Sequence, residues 1–380
     1  KRTMKKMVSM ALTGTMAVAV LAGAGTREVK AADKAKIGVL VADVSGEEAQ
    51  GFRSYYENYI AGNYDVEFNY TDALQSAEDE KTAIEKFASQ GCQAIISFSS
   101  NDRVQQIETC EKYGVYYAVA SGVLDDAQYE TYKTYEYFAG QVGPGNDTEF
   151  EAGKDMGAYY KEQGVSKVAI YGAFIPNPMH VYRVAGVLNG LGCTYGGESD
   201  MNAIAGQIFQ DQTVDLSKVE GDVEVVSYLQ GYGDTTTDEL NAAIQKTPDA
   251  FISVGMATTF FAQSLSEAGI SFSDIDSFTE TNGNSMKNGT LTYLAGKYSS
   301  SIGPVFALVM NAINGNVIRD EDGNAPSISQ GYLVATDSDT FDKYSVSDSG
   351  DAPIYDKETL DSIIGDNVTF EDVKTLVESK

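Results

Sequence analysis

From Lys36 onward, short apolar runs almost free of charge alternate with longer amphipathic stretches, and this cadence constrains the fold more than any single motif. Runs of this kind suit strands buried on both faces, and the periodic segments between them suit helices that cross over and pack back on the sheet. Residues 37–42, 64–70, 93–97 and 115–120 read as strands, separated by helices over 47–60, 78–88 and 102–113. The cadence restarts after the glycine-rich link 140–145. Helix 148–163, strand 167–171, helix 180–191, strand 223–228, helix 237–245, strand 250–254, helix 258–268 and strand 275–279 follow, then helix 301–314, strand 331–336 and an acidic helical tail over 357–380. The expected fold class is α/β, with two doubly wound parallel-sheet lobes in succession. Residues 195–221 show weak periodicity and are expected to form a loop-rich insertion in the second lobe.

The N-terminal segment breaks this pattern. Lys1, Arg2, Lys5 and Lys6 precede an apolar stretch over residues 7–24 that ends in small residues, the three-part layout of a secretory signal. Cleavage is expected after Ala31, making 1–31 a signal peptide, with retention as a single anchor helix as the alternative. Ala24 stands where a lipoprotein signal would place its cysteine. No later stretch is long and apolar enough to cross a bilayer, so the predicted location is extracytoplasmic, the periplasm or the cell surface.

Charge and composition then exclude several function classes. The 380 residues carry 55 acidic and 27 basic side chains, a formal charge of −28, and the predicted signal holds six of those basic residues but only one acid, Glu28. A body this acidic repels phosphate backbones, which argues against nucleic acid as a partner. One histidine and three cysteines are too few for the usual four-ligand zinc site, and no metal or cofactor is assigned. Asp320-Glu-Asp-Gly-Asn324 lacks the full alternation of a calcium loop and reads as a surface turn. The link 140–145 has no following Lys-Ser/Thr, and Gly-x-Ser-x-Gly is absent, so no catalytic residue is assigned and the chain is not expected to be an enzyme. Cys92, Cys110 and Cys193 are expected to be free thiols.

The order of segments resembles the type I periplasmic binding proteins, the solute-binding partners of ABC importers, and within them the sugar-binding branch related to ribose- and galactose-binding proteins. The resemblance spans about 36–336. It is carried by IGVLVAD at 37–43, AIIS at 94–97, EAGKDMG at 151–157, KVAIYG at 167–172 leading to RVAG at 183–186, PDAFIS at 248–253, TNG at 281–283 and GPVFALV at 303–309. It implies an N-terminal lobe from 36–138 and 298–330 and a C-terminal lobe from 140–296 and 331–380. It further implies three hinge crossings, a cleft between the two sets of strand C-terminal ends, a membrane permease as partner, and a monomer.

Loops that follow the strands supply the expected ligand-binding residues. After the first strand these are Asp43, Ser45 and Glu47, set against the alternative that Ser45 and Glu48 form a capping box. After the third come Ser99 and Ser100, which could equally cap the next helix. The family's sugar-clamping Asp-Arg pair is replaced by Ser121-Gly122, and an Asn-Asp pair by Gly255-Met256. The second lobe offers Phe174 and His180, Arg183 as a forked donor, Met256, and Glu280 and Asn282. Lys297 and Tyr298 fall at the second crossing. The ligand implied is a small polar molecule, carbohydrate first. Nucleoside capture, as in the lipoprotein branch of the fold, and a sensory ectodomain feeding a kinase or chemoreceptor stay open as alternatives.

Overall fold

The computed structural model describes residues 34–349 and 352–380, so the predicted signal peptide lies outside the described residues. In chain order the first strands are β1 (Ala35–Val41), β2 (Val66–Ala73), β3 (Ala94–Ser97), β4 (Tyr116–Ala120) and β5 (Phe138–Gly143). Then come β6 (Lys167–Tyr171), the short β7 (Thr194–Tyr195) and β8 (Val219–Glu220), and β9 (Glu224–Leu229). The series ends with β10 (Ala250–Ser253), β11 (Ser271–Ser277), β12 (Leu291–Lys297), β13 (Ser327–Ser329) and β14 (Leu333–Ala335).

Two six-stranded sheets result, in the orders β13-β5-β4-β3-β1-β2 and β14-β12-β11-β10-β6-β9. The first is parallel throughout, and in the second only β14 runs antiparallel, against β12. Every position of β3 and of β10 is buried, as a strand covered on both faces requires. These two strands hold equivalent places in their sheets and end alike. Ser97 Oγ donates to Ser99 O and Ser253 Oγ to Gly255 O, both at 3.1 Å, while the Ser99 and Gly255 amides donate back. The two lobes therefore repeat a local device as well as a topology.

The chain passes between the lobes after β5, after β12 and between β13 and β14. Tyr298, at the second passage, stacks on Tyr355 at 6.3 Å, and Gln330, at the third, donates to both hydroxyls. In the second lobe, helices Asn146–Glu162 and Pro178–Gly190 meet backbone to backbone. A Cβ on Gly153 would lie 2.0 Å from Arg183 O, and one on Gly186 would lie 2.0 Å from Phe150 O. Only hydrogen fits at those two crossings, and the close approach sets Glu149 beside Arg183.

Two expectations are corrected. Residues 195–221 are not loop-rich: they hold the antiparallel β7–β8 pair and helix Met201–Asp211, capped by Asp200 and buried through Ile204, Ala205 and Ile208. The helical spacing of those residues is clear only once the helix is seen, because it lasts barely three turns between polar flanks. The acidic tail does not stay in the second lobe either. Residues 333–349 do, through β14 and Phe341, but Tyr355, Leu360, Ile363, Val373 and Val377 enter the core of the first lobe. Asn311 clamps the returning chain, donating to Ile363 O at 2.8 Å and accepting from the Gly365 amide at 2.8 Å. The tail is thus amphipathic, with an acidic outer face and an apolar inner one. Replacing the fully buried Leu360 with Ala is expected to cost about 2–5 kcal/mol in urea unfolding; a loss below about 0.5 kcal/mol would mean the tail is not part of the core.

Candidate functional site

The strand C-terminal ends of the two sheets face a cleft that contains three adjoining cavities. The largest, 830 Å³, takes Ser100, Arg103, Ser121 and Gly122 from the first lobe, Asn177 and Tyr182 from the second, and Lys297 at the crossing. A 220 Å³ cavity shares Ser121 and adds Asp43, Phe52, Arg53, Tyr70 and Phe98. A third, of 150 Å³, shares Lys297 and adds Glu47, Glu48, Ser277 and Glu280. Ser121 and Lys297 therefore stand at the junctions. Ser121, just past β4, has φ +56°; Ala173 and Met256, past β6 and β10, have φ +50° and +69°. Left-handed backbone at non-glycine residues is disfavoured and concentrates where the surrounding fold imposes it, often at binding sites.

The carboxylates expected to meet ligand have other partners. Asp43 closes its own turn, accepting from the Ser45 amide (2.9 Å) and hydroxyl (3.0 Å) and the Gly46 amide (3.0 Å). The Ser45 amide bond leads the interactions that hold the Asp43 carboxyl below its ordinary pKa. No Ser45–Glu48 capping box forms, since Gly46 is the cap residue of helix Glu47–Ser54 and no side chain caps it. Glu47 and Glu48 instead reach across to the second lobe. Glu47 accepts from the Glu280 amide and the Thr281 hydroxyl, both at 3.0 Å, while Glu48 accepts from Ser277 Oγ and pairs with Lys297 Nζ at 3.5 Å.

Ser99 is buried and, with Asn101 and the Asp102 amide, donates to buried Glu80, which pins the loop after β3. Burial acts to raise the pKa of Glu80, but the hydrogen bonds from Ser99, Gln106 and the loop amides outweigh it, so the carboxyl stays below its ordinary value. Ser100 remains exposed on the largest cavity.

In the second lobe, Arg183 is 2% exposed. Its Nε donates to Glu149 at 2.6 Å, Nη1 to Val254 O at 2.8 Å, and Nη2 to Glu149 at 3.3 Å and to Tyr332 OH at 2.7 Å. Burial would lower its pKa, but Glu149 and Tyr332 more than reverse this. Arg183 is thus a strut of the cleft wall, with four of its five N–H groups taken up internally. His180 is buried beside it, its Nδ1 accepting from the Phe174 amide at 3.2 Å; burial, then the Arg183 charge, pushes its pKa down to about 4. Asn282 is also internal, donating to Ser277 O and Asp276. Glu280 is exposed and acts through its amide, and Tyr298 belongs to the hinge core.

Phe174 and Met256 are exposed. Phe174 meets Phe260 edge-on at 6.5 Å, and Phe260 stacks on exposed Tyr232 at 4.1 Å, a row beyond the lining of the 830 Å³ cavity. The aromatic wall of the cleft lies in the other lobe. Phe52 and Phe98 stack at 5.4 Å, and Tyr70 lies under Arg53 at 4.4 Å with its buried hydroxyl unpartnered among the described residues. Sequence reasoning missed these rings because Phe52 has the spacing of a core residue and Phe98 follows an apolar strand. It missed Arg103 because that residue directly follows the capping run 99–102 and reads as an ordinary solvated position at the start of a helix. The three cysteines are buried free thiols.

No family model and no curated protein matches the chain. Solved structures do share its fold. A periplasmic solute-binding protein of an ABC transporter from Actinobacillus succinogenes 130z, with bound D-allose, aligns at TM-score 0.61 and 16% identity over 82% of this chain and 100% of that one. The periplasmic binding component of the arabinose ABC transporter from Shewanella sp. ANA-3, bound to L-arabinofuranose, aligns at 0.57 and 16% over 81% and 93%. A solute-binding protein from Bacillus halodurans C-125 with bound myo-inositol aligns at 0.56 and 16% over 83% and 98%. The chain has the two-lobed type I periplasmic-binding-protein fold that its sequence resembles.

The polar network generates two expectations. Arg183→Met leaves the Glu149 carboxylate buried without its counter-charge and should cost about 3–5 kcal/mol, with partial recovery in the Arg183→Met/Glu149→Gln double variant; both are read by urea unfolding. Glu47→Gln with Glu48→Gln should weaken the inter-lobe bridge. Hydrogen exchange at the Glu280 amide should then accelerate roughly tenfold, while exchange in β3 stays unchanged.

Proposed function

We propose that this chain is the extracytoplasmic substrate-binding protein of an ABC importer, and that it captures a carbohydrate between its lobes and hands it to a membrane permease. The observation that carries this reading is the junction at Ser121. There a cavity walled by Phe52, Phe98 and Tyr70 opens into an 830 Å³ cleft lined by hydroxyl, amide and charged groups. An apolar ring face beside convergent polar groups is the combination a sugar asks for, because its C–H face can lie against an aromatic while its hydroxyls take hydrogen bonds. The solved proteins that share the fold carry an arabinofuranose, allose and inositol, all polyhydroxylated rings.

The reading is of binding and not of catalysis. Three of the carboxylates at the cleft are engaged in structure: Glu149 with Arg183, Glu47 with the Glu280 amide, and Asp125 with the Gln128 amide at 2.8 Å. The export signal expected from the N-terminal sequence would bring the protein to where an importer meets its solute, and among the described residues no helix is long and apolar enough to cross a membrane. Closure about the three passages would bury the ligand between the lobes.

A thermal-shift screen of L-arabinose, D-allose and myo-inositol against uridine and adenosine tests the reading. A sugar present at one hundred times its Kd should add about 2.7 kcal/mol to stability and raise Tm accordingly. Stabilisation by the nucleosides alone would sink the carbohydrate reading.

A further inference from the structure

Of the four described arginines, three have their guanidinium donors engaged at two or more points. Arg53 forks onto Glu57 at 3.0 Å through both Nε and Nη2, Arg183 onto Glu149, and Arg319 donates to four main-chain carbonyls. Arg103 is different. Its one hydrogen bond runs from Nη1 to Val123 O at 2.7 Å; Nε is buried without a partner, and Nη2 has none among the described residues. Like Arg319 it forms no ion pair among the described residues, but unlike Arg319 it has no set of carbonyls around it. The nearest carboxylate field is that of Glu80, whose two oxygens are already occupied by Ser99, Asn101 and the Asp102 amide.

The position compounds the cost. Arg103 is the first residue of helix Arg103–Tyr113, where the helix dipole disfavours positive charge; the one acid at that end, the N-cap Asp102, spends its carboxylate on the Gln105 amide at 2.9 Å and makes no ion pair with Arg103. Burial lowers its pKa. A mostly buried, unpaired guanidinium at the wrong end of a helix is locally destabilising, and violations of this kind gather at binding sites. Arg103 lies on the wall of the 830 Å³ cleft, and Gly122 leaves its face open: a Cβ there would lie 3.1 Å from Nη2. Lys297 lines the same cavity, its charge paired with Glu48 at 3.5 Å. Four carboxylates line that cavity: Glu149 is paired with Arg183, Asp125 and Asp147 accept from the amides of Gln128 and Thr148, both at 2.8 Å, and Asp126 stands at its edge.

Building on the carbohydrate reading, we propose that Arg103 is the ligand anchor of the cleft and that the preferred ligand is a sugar bearing an oxyanion, a carboxylate or a phosphate. Such a group supplies the counter-charge and the acceptors that the guanidinium lacks, and a planar fork suits either oxyanion.

Titration calorimetry on the full chain tests this with D-galacturonate, D-glucuronate and D-glucose 6-phosphate against D-galactose and D-glucose. At least one anionic sugar should bind tenfold or more tightly than its neutral parent, and uronate against phosphate identifies the oxyanion. Arg103→Met should weaken that binding at least a hundredfold while leaving the ligand-free unfolding midpoint unchanged or raised. Arg103→Lys, which keeps the charge and loses the fork, should fall between. Neutral parents that bind as tightly as the acids, or full anionic affinity in Arg103→Met, would overturn the anchor while leaving the carbohydrate reading intact. Nucleoside binding with no sugar binding of either kind would overturn both.

Discussion

The cleft wall of the second lobe depends on one buried ion pair. Glu149 comes from helix Asn146–Glu162 just past the first passage, Arg183 from helix Pro178–Gly190, Val254 from the end of β10, and Tyr332 from the third passage. Four segments far apart in sequence therefore converge on one guanidinium. Two charges buried together gain little net stability over a well-packed apolar pair, but each becomes expensive if the other is lost. The consequence is specificity of arrangement: the glycines at 153 and 186 let the two helices touch, the touch aligns Glu149 with Arg183, and the pair locks a hinge segment to a binding-loop terminus. A second-lobe wall fixed in this way can move as a rigid unit when the passages bend.

The opposite wall is held by contacts that can be exchanged. Glu47 and Glu48 sit in the first turn of a helix of the first lobe and bond to an amide, two hydroxyls and an ammonium of the second. Apart from the buried Ser277 these partners are at least partly exposed, so water replaces most of them at modest cost when the lobes part. A ligand shifts such an equilibrium only by its differential affinity for the closed state. The bridge adds a ligand-independent bias toward closure. The strained Ser121 and the aromatic cavity beside it supply contacts that only an occupant can complete.

The alternation of strands and helices made the two lobes legible, because a parallel sheet buried on both faces leaves long, charge-poor runs that little else produces. The loops after the strands were legible as locations, and Ser100, Ser121 and Lys297 do line the main cavity. Residue roles were not. Arg183 has the chemistry of a ligand fork, but its acceptors lie 34 and 149 residues away in sequence, and no local pattern reveals that they arrive first. Asp43 and Ser99 are absorbed by their own loops for the same reason: a short polar side chain past a strand serves a turn as readily as a ligand. The tail was misplaced because its charge is outward and conspicuous, whereas the spacing that buries Leu360, Val373 and Val377 speaks of an apolar partner without saying which lobe provides it.

The overall charge of −28 also describes the wrong length scale for recognition. Surface carboxylates act through water and salt, and beyond a Debye length of about 8 Å their field on a ligand is largely screened. Inside a narrow cleft the nearest groups dominate, and there the balance differs. Asp125 and Asp147 spend an oxygen on main-chain amides and Glu149 is paired with Arg183, while Arg103 keeps hydrogen-bonding capacity that no described residue uses. The acidic exterior slows the approach of anions, yet it does not set their affinity once they are inside, where a desolvated fork meets an oxyanion at hydrogen-bond distance. The acidity of the chain and a preference for an acidic ligand are therefore compatible, because one governs encounter and the other governs the contact.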